Sequence, residues 1–257
     1  MIKNKFGTTD DSLLGGRLRI RQSADGHRVG VDALLLAAAT PPDSRGLILD
    51  LGAGSGAVGL VAALRAPQAK VGLVEIDAAS CALARANINS NDLAGRMSVF
   101  NADILAAPGR RAAGLVDEQA ALVLTNPPFF NANAIRVTPD AAKARAHVAV
   151  APLSDWLRAS LAMLSPGGVF AMIHRADALA DCLEAMGRRL GGVAIRPVYP
   201  RTGFPASRIL LRGVKGSRAP LSLLAPLVLH EQDGRLTPEA RLLTLGTNET
   251  IFPDDRY

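Results

Sequence analysis

Charged and apolar residues alternate over residues 17–21, a pattern typical of a half-buried strand with a basic outer face. The dipeptide Asp25-Gly26 then predicts a turn, so that residues 27–29 would form the return strand of a hairpin. Asp32 is placed to cap a helix over residues 33–39, because a side-chain oxygen at that position can accept from the first free amides. The chain is therefore expected to begin with a strand pair followed by a helix.

From residue 46 onward, short apolar runs alternate with longer segments that have helical spacing of their apolar positions. Strands that alternate with helices in this way indicate a parallel sheet covered by helices on both faces. The last two strands are expected to form a closing pair at one edge. The predicted strands are 47–51, 71–75, 97–100, 121–125, 169–173, 193–199 and 208–212, and the predicted helices are 57–65, 78–89, 153–164 and 176–189.

Composition narrows the class of protein without naming a function. The 257 residues are 49% hydrophobic and 20% charged, which excludes disordered, collagen-like and coiled-coil chains. The polar residues 1–10 do not form a secretory signal, and the longest apolar run, Ala33–Ala39, is too short to cross a bilayer. Cys81 and Cys182 are too few for a disulfide framework or a zinc site. We expect a cytoplasmic protein with no metal and no membrane contact, and with its cysteines buried in helices.

A glycine-rich segment, Asp50-Leu51-Gly52-Ala53-Gly54-Ser55-Gly56, follows the first strand of the sheet and opens a helix. Glycines at such a turn let the backbone approach a ligand and present amides at the positive end of the helix. The segment also fits the dinucleotide pattern G-x-G-x-x-A, with Ala57 in the last position. The loop alone therefore leaves open a nicotinamide enzyme, another nucleoside-binding protein or a turn without a ligand.

Three acidic residues lie at the ends of successive strands. Asp50 precedes the glycines and would repel a pyrophosphate, but it suits a ligand that carries an ammonium group. Glu75 ends the second strand, where a carboxylate can accept from both hydroxyls of a ribose. Asp103 follows the third strand, within reach of an adenine amino group. This combination indicates a cationic amino acid joined to adenosine, which describes S-adenosylmethionine.

The tetrapeptide Asn126-Pro127-Pro128-Phe129 directly follows the fourth strand. Two prolines stiffen the turn and remove two amide donors, which leaves carbonyl acceptors free. The side-chain oxygen of Asn126 and the carbonyl of Pro127 could together accept from a planar amino group and direct its lone pair at an electrophile. Phe129 is placed to stack on that planar group. A structural turn begun by asparagine is the alternative interpretation.

Together these segments resemble the class I S-adenosylmethionine-dependent methyltransferases that methylate amino groups, over about residues 26–213. The resemblance implies a Rossmann-like doubly wound α/β sheet, mostly parallel with a C-terminal antiparallel strand. It also implies that Asn126, Pro127 and Phe129 are catalytic. The cofactor-binding residues that it implies are Asp50, Gly52, Ala53, Gly54, Gly56, Glu75, Ile76, Asp103, Ile104 and Asn126.

A narrower resemblance concerns residues 26–36 and 226–237, which are similar to segments of bacterial N6-methyltransferases of adenine 37 in a valine tRNA. Here Phe129 and Phe130 stand where a tyrosine is common, so stacking is kept and a phenol hydroxyl is lost. The pattern Asn-Pro-Pro-aromatic also serves enzymes that methylate glutamine amides of release factors or guanine amines of ribosomal RNA. The motif predicts amino-group methylation and leaves the acceptor open.

The net charge of +6 permits a phosphate-bearing partner, and basic residues lie on both sides of the cofactor motifs. We expect tRNA to be bound by these residues, with scattered solvated charge as the alternative. Residues 1–31 are interpreted as a basic extension or hairpin, 32–213 as the methyltransferase domain and 214–257 as an extension packed against it. An oxidoreductase and a catalytically silent RNA-binding module are the remaining alternatives. The predicted substrate-binding residues are Pro128, Phe130, Arg28, Arg136, Lys143 and Arg145.

Overall fold

A mixed sheet with helices packed on both faces forms the centre of the protein, as seen in a computed structural model that describes residues 7–24, 29–127 and 151–252. The strands are β1 Thr8–Leu13, β2 Leu18–Ser23, β3 Gly46–Leu51, β4 Ala69–Glu75, β5 Met97–Asn101, β6 Ala120–Thr125, β7 Leu164–Arg175, β8 Leu190–Arg201, β9 Arg208–Lys215, β10 Ser222–Leu223 and β11 Leu227–His230. The helices are α1 Val31–Ala37, α2 Ala57–Arg65, α3 Ala78–Ser90, α4 Ala107–Ala112, α5 Leu153–Met163, α6 Leu179–Met186 and α7 Pro238–Thr244.

The main sheet has the strand order β10-β8-β9-β7-β6-β3-β4-β5, and β11 pairs with β8 beyond the end of β10. β3, β4, β5, β6 and β7 run parallel to one another, whereas β9 is antiparallel to both of its neighbours, β7 and β8. The order reverses beside β3, so β4 and β5 lie on one side of it and β6 and β7 on the other. This arrangement confirms the predicted doubly wound sheet with a C-terminal antiparallel strand.

The central strands are apolar because both of their faces are buried. Along β3, Ile48 packs into one hydrophobic cluster while Leu49 and Leu51 pack into the cluster on the opposite face. The same alternation occurs in β6, where Leu122 and Val123 point to opposite faces. The central sheet thus carries a separate hydrophobic core on each side.

The N-terminal hairpin differs from the prediction in its partner strand. β2 is formed as expected and its arginines face outward, but it pairs with the upstream strand β1 through a short turn over Leu14–Gly16. Residues 25–28 lie outside the described residues, and Val29 is not part of a strand. The alternation of residues 17–21 identified the strand, whereas the polar sequence of β1 gave no comparable signal.

The predicted cap of the first helix was also wrong. Gly30 is the N-cap of α1, so Asp32 lies within the first turn, and no side chain caps the helix. The Asp32 carboxylate instead accepts from the Arg208 guanidinium, with Nε and Oδ2 2.9 Å apart. By contrast, Asp77 does cap α3, since its Oδ2 accepts from the Ser80 amide at 2.9 Å.

The C-terminal residues after β9 extend the same sheet. β10 and β11 both pair in parallel with β8, and α7 packs against α1 and β11. The buried guanidinium of Arg196 joins this region to β8, because its Nη1 donates to the Ile251 carbonyl at 2.6 Å. The sequence did not predict β1, α4, β10, β11 or α7.

Both cysteines are fully buried, as predicted for small hydrophobic side chains. Burial raises the pKa of the Cys182 thiol to about 12, so it stays protonated at neutral pH. In the described ranges, none of the helices is long and apolar enough to cross a membrane.

Candidate active site

Three of the predicted site residues stand at one level of the sheet edge. The register pairs Leu51 of β3 with Val74 of β4 and with Thr125 of β6. The next residues along the chain are Gly52, Glu75 and Asn126. Glu75 is the last residue of β4, whereas Gly52 and Asn126 directly follow β3 and β6, so all three lie at the carboxyl ends of neighbouring parallel strands. Ligands of open α/β sheets bind at this edge, beside the strand where the order reverses.

The glycine loop between β3 and α2 needs glycine at several positions. Gly52, Gly54 and Gly56 have φ angles of 75°, 56° and 92°, which are in the left-handed region that favours glycine. A Cβ on Gly56 would lie 2.7 Å from Cδ1 of Leu73, whereas a Cβ on Gly54 would meet no atom within 4 Å. The loop is thus packed closely against the core at Gly56 and open beside Gly54, where a ligand can approach the backbone.

The Glu75 carboxylate binds two backbone amides of the site. Its Oε2 accepts from Gly54 N at 2.9 Å and its Oε1 accepts from Asp77 N at 2.8 Å. These bonds orient the half-buried carboxylate between the glycine loop and the start of α3. Each carboxylate oxygen has a second lone pair, so the group can still accept from the two hydroxyls of a ribose.

Asp50 lies beneath the glycine loop and is only 1% exposed. Its Oδ2 accepts from the Gly59 amide in the first turn of α2, at 2.8 Å. Burial raises the pKa of Asp50 to about 7; the bond from Gly59 opposes this shift and the nearby charge of Glu75 adds to it. The described contact of Asp50 is therefore with the start of α2, and its contact with a methionine ammonium stays a prediction.

The loop after β5 completes the described part of the cofactor region. Oδ1 of Asp103 accepts from the Leu105 amide at 2.9 Å, which fixes a tight turn and leaves its other oxygen available. Ile104 is buried, and Ile76 packs at the margin of the same hydrophobic cluster. Two apolar side chains and one carboxylate are suited to an adenine ring and its amino group.

Asn126 and Pro127 follow β6, and the residue before them is held by two buried hydrogen bonds. The Thr125 hydroxyl donates to the Leu51 carbonyl at 3.0 Å and accepts from Nε1 of Trp156 at 3.0 Å. Trp156 is buried. Its ring also lies under the glycine loop, since a Cβ on Gly52 would be 3.2 Å from the indole. A single side chain thus supports both the candidate catalytic turn and the start of the glycine loop.

The structure brings the predicted residues of the glycine loop, Glu75, Ile76, Asp103, Ile104, Asn126 and Pro127 to one edge of the sheet. The remaining predicted site residues lie outside the described residues, namely Arg28, Pro128, Phe129, Phe130, Arg136, Lys143 and Arg145. Among the residues that are described, no group of three or more His, Cys, Asp or Glu side chains could hold a metal ion.

Sequence reasoning missed Asn87, which contacts the glycine loop from below. Its Nδ2 donates to the Ser55 carbonyl at 2.9 Å, and the side chain is 1% exposed. The available signal was its position in α3, since Asn87 directly precedes Ile88 on the face that also buries Cys81 and Ala84. An asparagine on the apolar face of a helix requires buried hydrogen-bond partners.

The sequence of this chain is similar to a known protein family and to known proteins. The family described as methyltransferase small domain matches residues 26–177. Two proteins of Porphyromonas gingivalis strains named tRNA1(Val) (adenine(37)-N6)-methyltransferase are 32% and 34% identical to this chain. The first match covers 92% of this chain and 94% of the relative, and the second covers 91% and 93%.

Solved structures show the same fold. The crystal structure of an Agrobacterium tumefaciens protein described as a predicted O-methyltransferase is 33% identical, with a TM-score of 0.73, and the match covers 87% of this chain and 99% of that chain. The TYW2 protein of M. jannaschii, solved in complex with AdoMet, has a TM-score of 0.55 at 12% identity, covering 83% and 88% of the two chains. The second likeness concerns the fold alone.

Proposed function

Since this chain belongs to the methyltransferase small domain family and uses S-adenosylmethionine, we propose that it methylates the N6 amino group of an adenine in tRNA. The observation that carries the proposal is the position of Asn126 and Pro127. They directly follow β6, at the level of Gly52 and Glu75, where the cofactor loop begins. An amino group held there would face the methyl donor.

The proposed reaction needs positioning more than acid–base chemistry. S-adenosylmethionine supplies a methyl group that is already activated by its sulfonium. The Asn126 side-chain oxygen and the Pro127 carbonyl accept from the two hydrogens of the exocyclic amino group. Two acceptors on these hydrogens keep the nitrogen lone pair from delocalising fully into the ring and make it the nucleophile. The new N–C bond forms as the bond between sulfur and the methyl group breaks, which leaves S-adenosylhomocysteine, and the nitrogen then loses one proton to solvent.

Two observations favour an amino acceptor on RNA over the alternatives. A pair of acceptors suits an NH2 group, which has two hydrogens, better than a hydroxyl, which has one. Relatives named as tRNA adenine methyltransferases match more than 90% of both chains, including the N- and C-terminal regions outside the family match. The contacts of Phe129 with the base and of the basic residues with phosphates remain part of the proposal.

The direct test compares two tRNA transcripts, as substrates, that differ at one nucleotide. An unmodified valine tRNA with adenine at position 37 and the same tRNA with guanine there are each incubated with the protein and labelled S-adenosylmethionine. Nuclease digestion and mass spectrometry then identify the methylated nucleoside. We expect N6-methyladenosine from the first transcript and no methylated nucleoside from the second.

Other products would contradict the proposal in distinct ways. A 2′-O-methylated nucleoside would indicate a hydroxyl acceptor, the reaction type for which the A. tumefaciens structure is named. N2-methylguanosine in ribosomal RNA, or methylglutamine in a release factor, with no reaction on tRNA, would indicate one of the alternative acceptors. Each of these outcomes would leave the methyltransferase family intact and overturn only the acceptor.

A further inference from the structure

The β1–β2 hairpin is attached to the C-terminal end of α3 through two asparagines, Asn87 in its last turn and Asn91 directly after it. Oδ1 of Asn87 accepts from Arg21 N at 2.7 Å, and its Nδ2 donates to Arg21 O at 2.9 Å. Asn91 makes the same pair of bonds with Arg19, at 2.9 Å and 2.7 Å. The side-chain amides therefore replace the backbone of a third strand along the free edge of β2.

This attachment works because two spacings agree. Residues four apart in a helix are separated by about 6 Å along its axis, and residues two apart in a strand by about 6.6 Å. Asn87 and Asn91 are four apart, and Arg21 and Arg19 are two apart in the opposite direction. The helix and the strand thus run antiparallel, with each asparagine opposite one arginine.

Asn87 is buried and Asn91 only half-buried, and the two asparagines also differ in where their second amide hydrogen goes. The remaining hydrogen of Asn87 Nδ2 is bonded to the Ser55 carbonyl in the glycine loop. Both hydrogens and the oxygen of this buried amide are thereby used, and a flipped amide would place its oxygen against two carbonyls. Asn91 has no bond to the glycine loop among the hydrogen bonds of the described chain, and its Nδ2 donates to the Asn87 carbonyl at 2.7 Å.

The Ser55 carbonyl lies at a sensitive point of the loop. Gly56 is the N-cap of α2, so Ser55 stands just outside the helix. The Gly59 amide, which an extended helix would direct to Ser55, donates instead to Asp50. Two buried side chains, Asp50 and Asn87, therefore satisfy the turn from β3 into α2, one as acceptor and one as donor.

We propose that Asn87 is a positioning residue that holds the glycine loop in its cofactor-binding shape and couples this shape to the docked β1–β2 hairpin. The Ser55 carbonyl bond fixes the orientation of the peptide that joins Ser55 to Gly56, directly after Gly54. Without it, the loop must find a new donor for a partly buried carbonyl, and its amides shift relative to Glu75. The proposal rests on the cofactor site of the family and not on the tRNA acceptor, so the two proposals fail separately.

Cofactor binding to paired variants tests the proposal without any acceptor. Asn87→Asp keeps the acceptor for the Arg21 amide but has no hydrogen for the carbonyls of Arg21 and Ser55. Asn91→Leu removes the corresponding pair of bonds to Arg19 of the same strand and has no contact with the loop to lose. The dissociation constant of S-adenosylhomocysteine is measured by calorimetry, below the unfolding midpoint of each variant. We expect at least a tenfold increase for Asn87→Asp and less than a threefold change for Asn91→Leu. Equal effects in the two variants, or none in Asn87→Asp, would overturn the assignment.

A second measurement uses the wild-type chain and does not depend on whether the variants fold. Coupling between two sites is reciprocal. A ligand that requires the bond between Asn87 and Ser55 must therefore also stabilise the bonds between Asn87 and the Arg21 backbone. Saturating S-adenosylhomocysteine should slow hydrogen exchange at the Arg21 amide at least fivefold. The Arg19 amide, which is bonded to Asn91, should change less than twofold. Unchanged exchange at Arg21, or equal slowing at both amides, would refute the coupling.

Discussion

Asp50 makes the stability of the protein depend on pH in a direction opposite to that of an ordinary paired carboxylate. Its pKa is raised from 3.8 to about 7, chiefly by burial, so the folded protein retains a proton that the unfolded chain loses near pH 4. The contribution of Asp50 to the free energy of unfolding therefore decreases as pH rises from about 4 to 7 and becomes constant above that range. Replacement by asparagine should remove this dependence, because an amide is neutral throughout and still accepts from Gly59.

The magnitude follows from the size of the pKa shift. Between pH 5 and pH 8, about two pH units lie below the folded pKa of Asp50, which is about 7. Over each of these units the contribution of Asp50 to the free energy of unfolding falls by about 1.36 kcal/mol. The free energy of unfolding of Asp50→Asn, relative to that of wild type, should thus increase by about 3 kcal/mol between pH 5 and pH 8. The Gly59 bond, at 2.8 Å, is preserved in the variant and cancels in the comparison.

Urea denaturation at pH 5, 6, 7 and 8 measures this difference for the two proteins side by side. Comparing the variant with wild type at each pH subtracts the contribution of every other titrating group. We expect the difference to increase steadily up to pH 7 and then to level off. A difference that is the same at all four pH values, or that increasingly favours wild type, would refute a raised pKa at Asp50.

Two further substitutions test the packing beneath the site. Gly59→Ala places a Cβ 2.1 Å from Cδ2 of Leu73 and should lower the free energy of unfolding by about 2 kcal/mol in a urea titration. Gly109→Ala is the control, because the nearest atom to its Cβ is 3.6 Å away and the protein should not be destabilised. Trp156→Phe removes the donor to the Thr125 hydroxyl and should cost about 1–2 kcal/mol in the same assay. A stable Gly59→Ala protein, or an unchanged Trp156→Phe protein, would contradict these contacts.

The central sheet was predictable because its strands are apolar over most of their length and are separated by segments with helical spacing. Helix α2 was predicted to the residue, since glycines precede it and Arg65 ends its apolar repeat. The C-terminal elements escaped prediction for a physical reason. β10 and β11 have only two and four residues, and they are strands because they pair with β8, not because of their own sequence.

The beginning of β7 shows a similar limit. The sequence 164–168 ends a helical pattern and contains Pro166-Gly167-Gly168, which predicts a turn. In the structure these residues already belong to β7, where a register shift accommodates them between two pairs of residues on β6 and β7. The Ser165 hydroxyl secures the irregularity by donating to the Ala120 carbonyl at 2.8 Å. The sequence 164–168 alone predicts a break in regular structure, but it does not show that these residues form an irregular part of a strand paired with β6.

The residues of the candidate site also differ in how far the sequence alone identifies them. Gly52, Glu75 and Asn126 were identified because each lies at the end of a strand that is visible in the sequence. Asn87 and Thr125 were not, since their importance depends on contacts with residues more than 30 positions away. Asp50 shows the intermediate case, where the residue was found and its described partner, the Gly59 amide, was not anticipated.

A comparison of Asn126→Ala with wild type tests the central claim most directly. Methyl transfer to a valine tRNA transcript is followed in a single turnover, with binding of S-adenosylhomocysteine measured on the same preparations. Our account predicts that the transfer rate falls by about 100-fold or more while S-adenosylhomocysteine still binds, with a dissociation constant that changes far less than the rate. Retained transfer by Asn126→Ala would contradict the claim that this side chain holds the acceptor amino group.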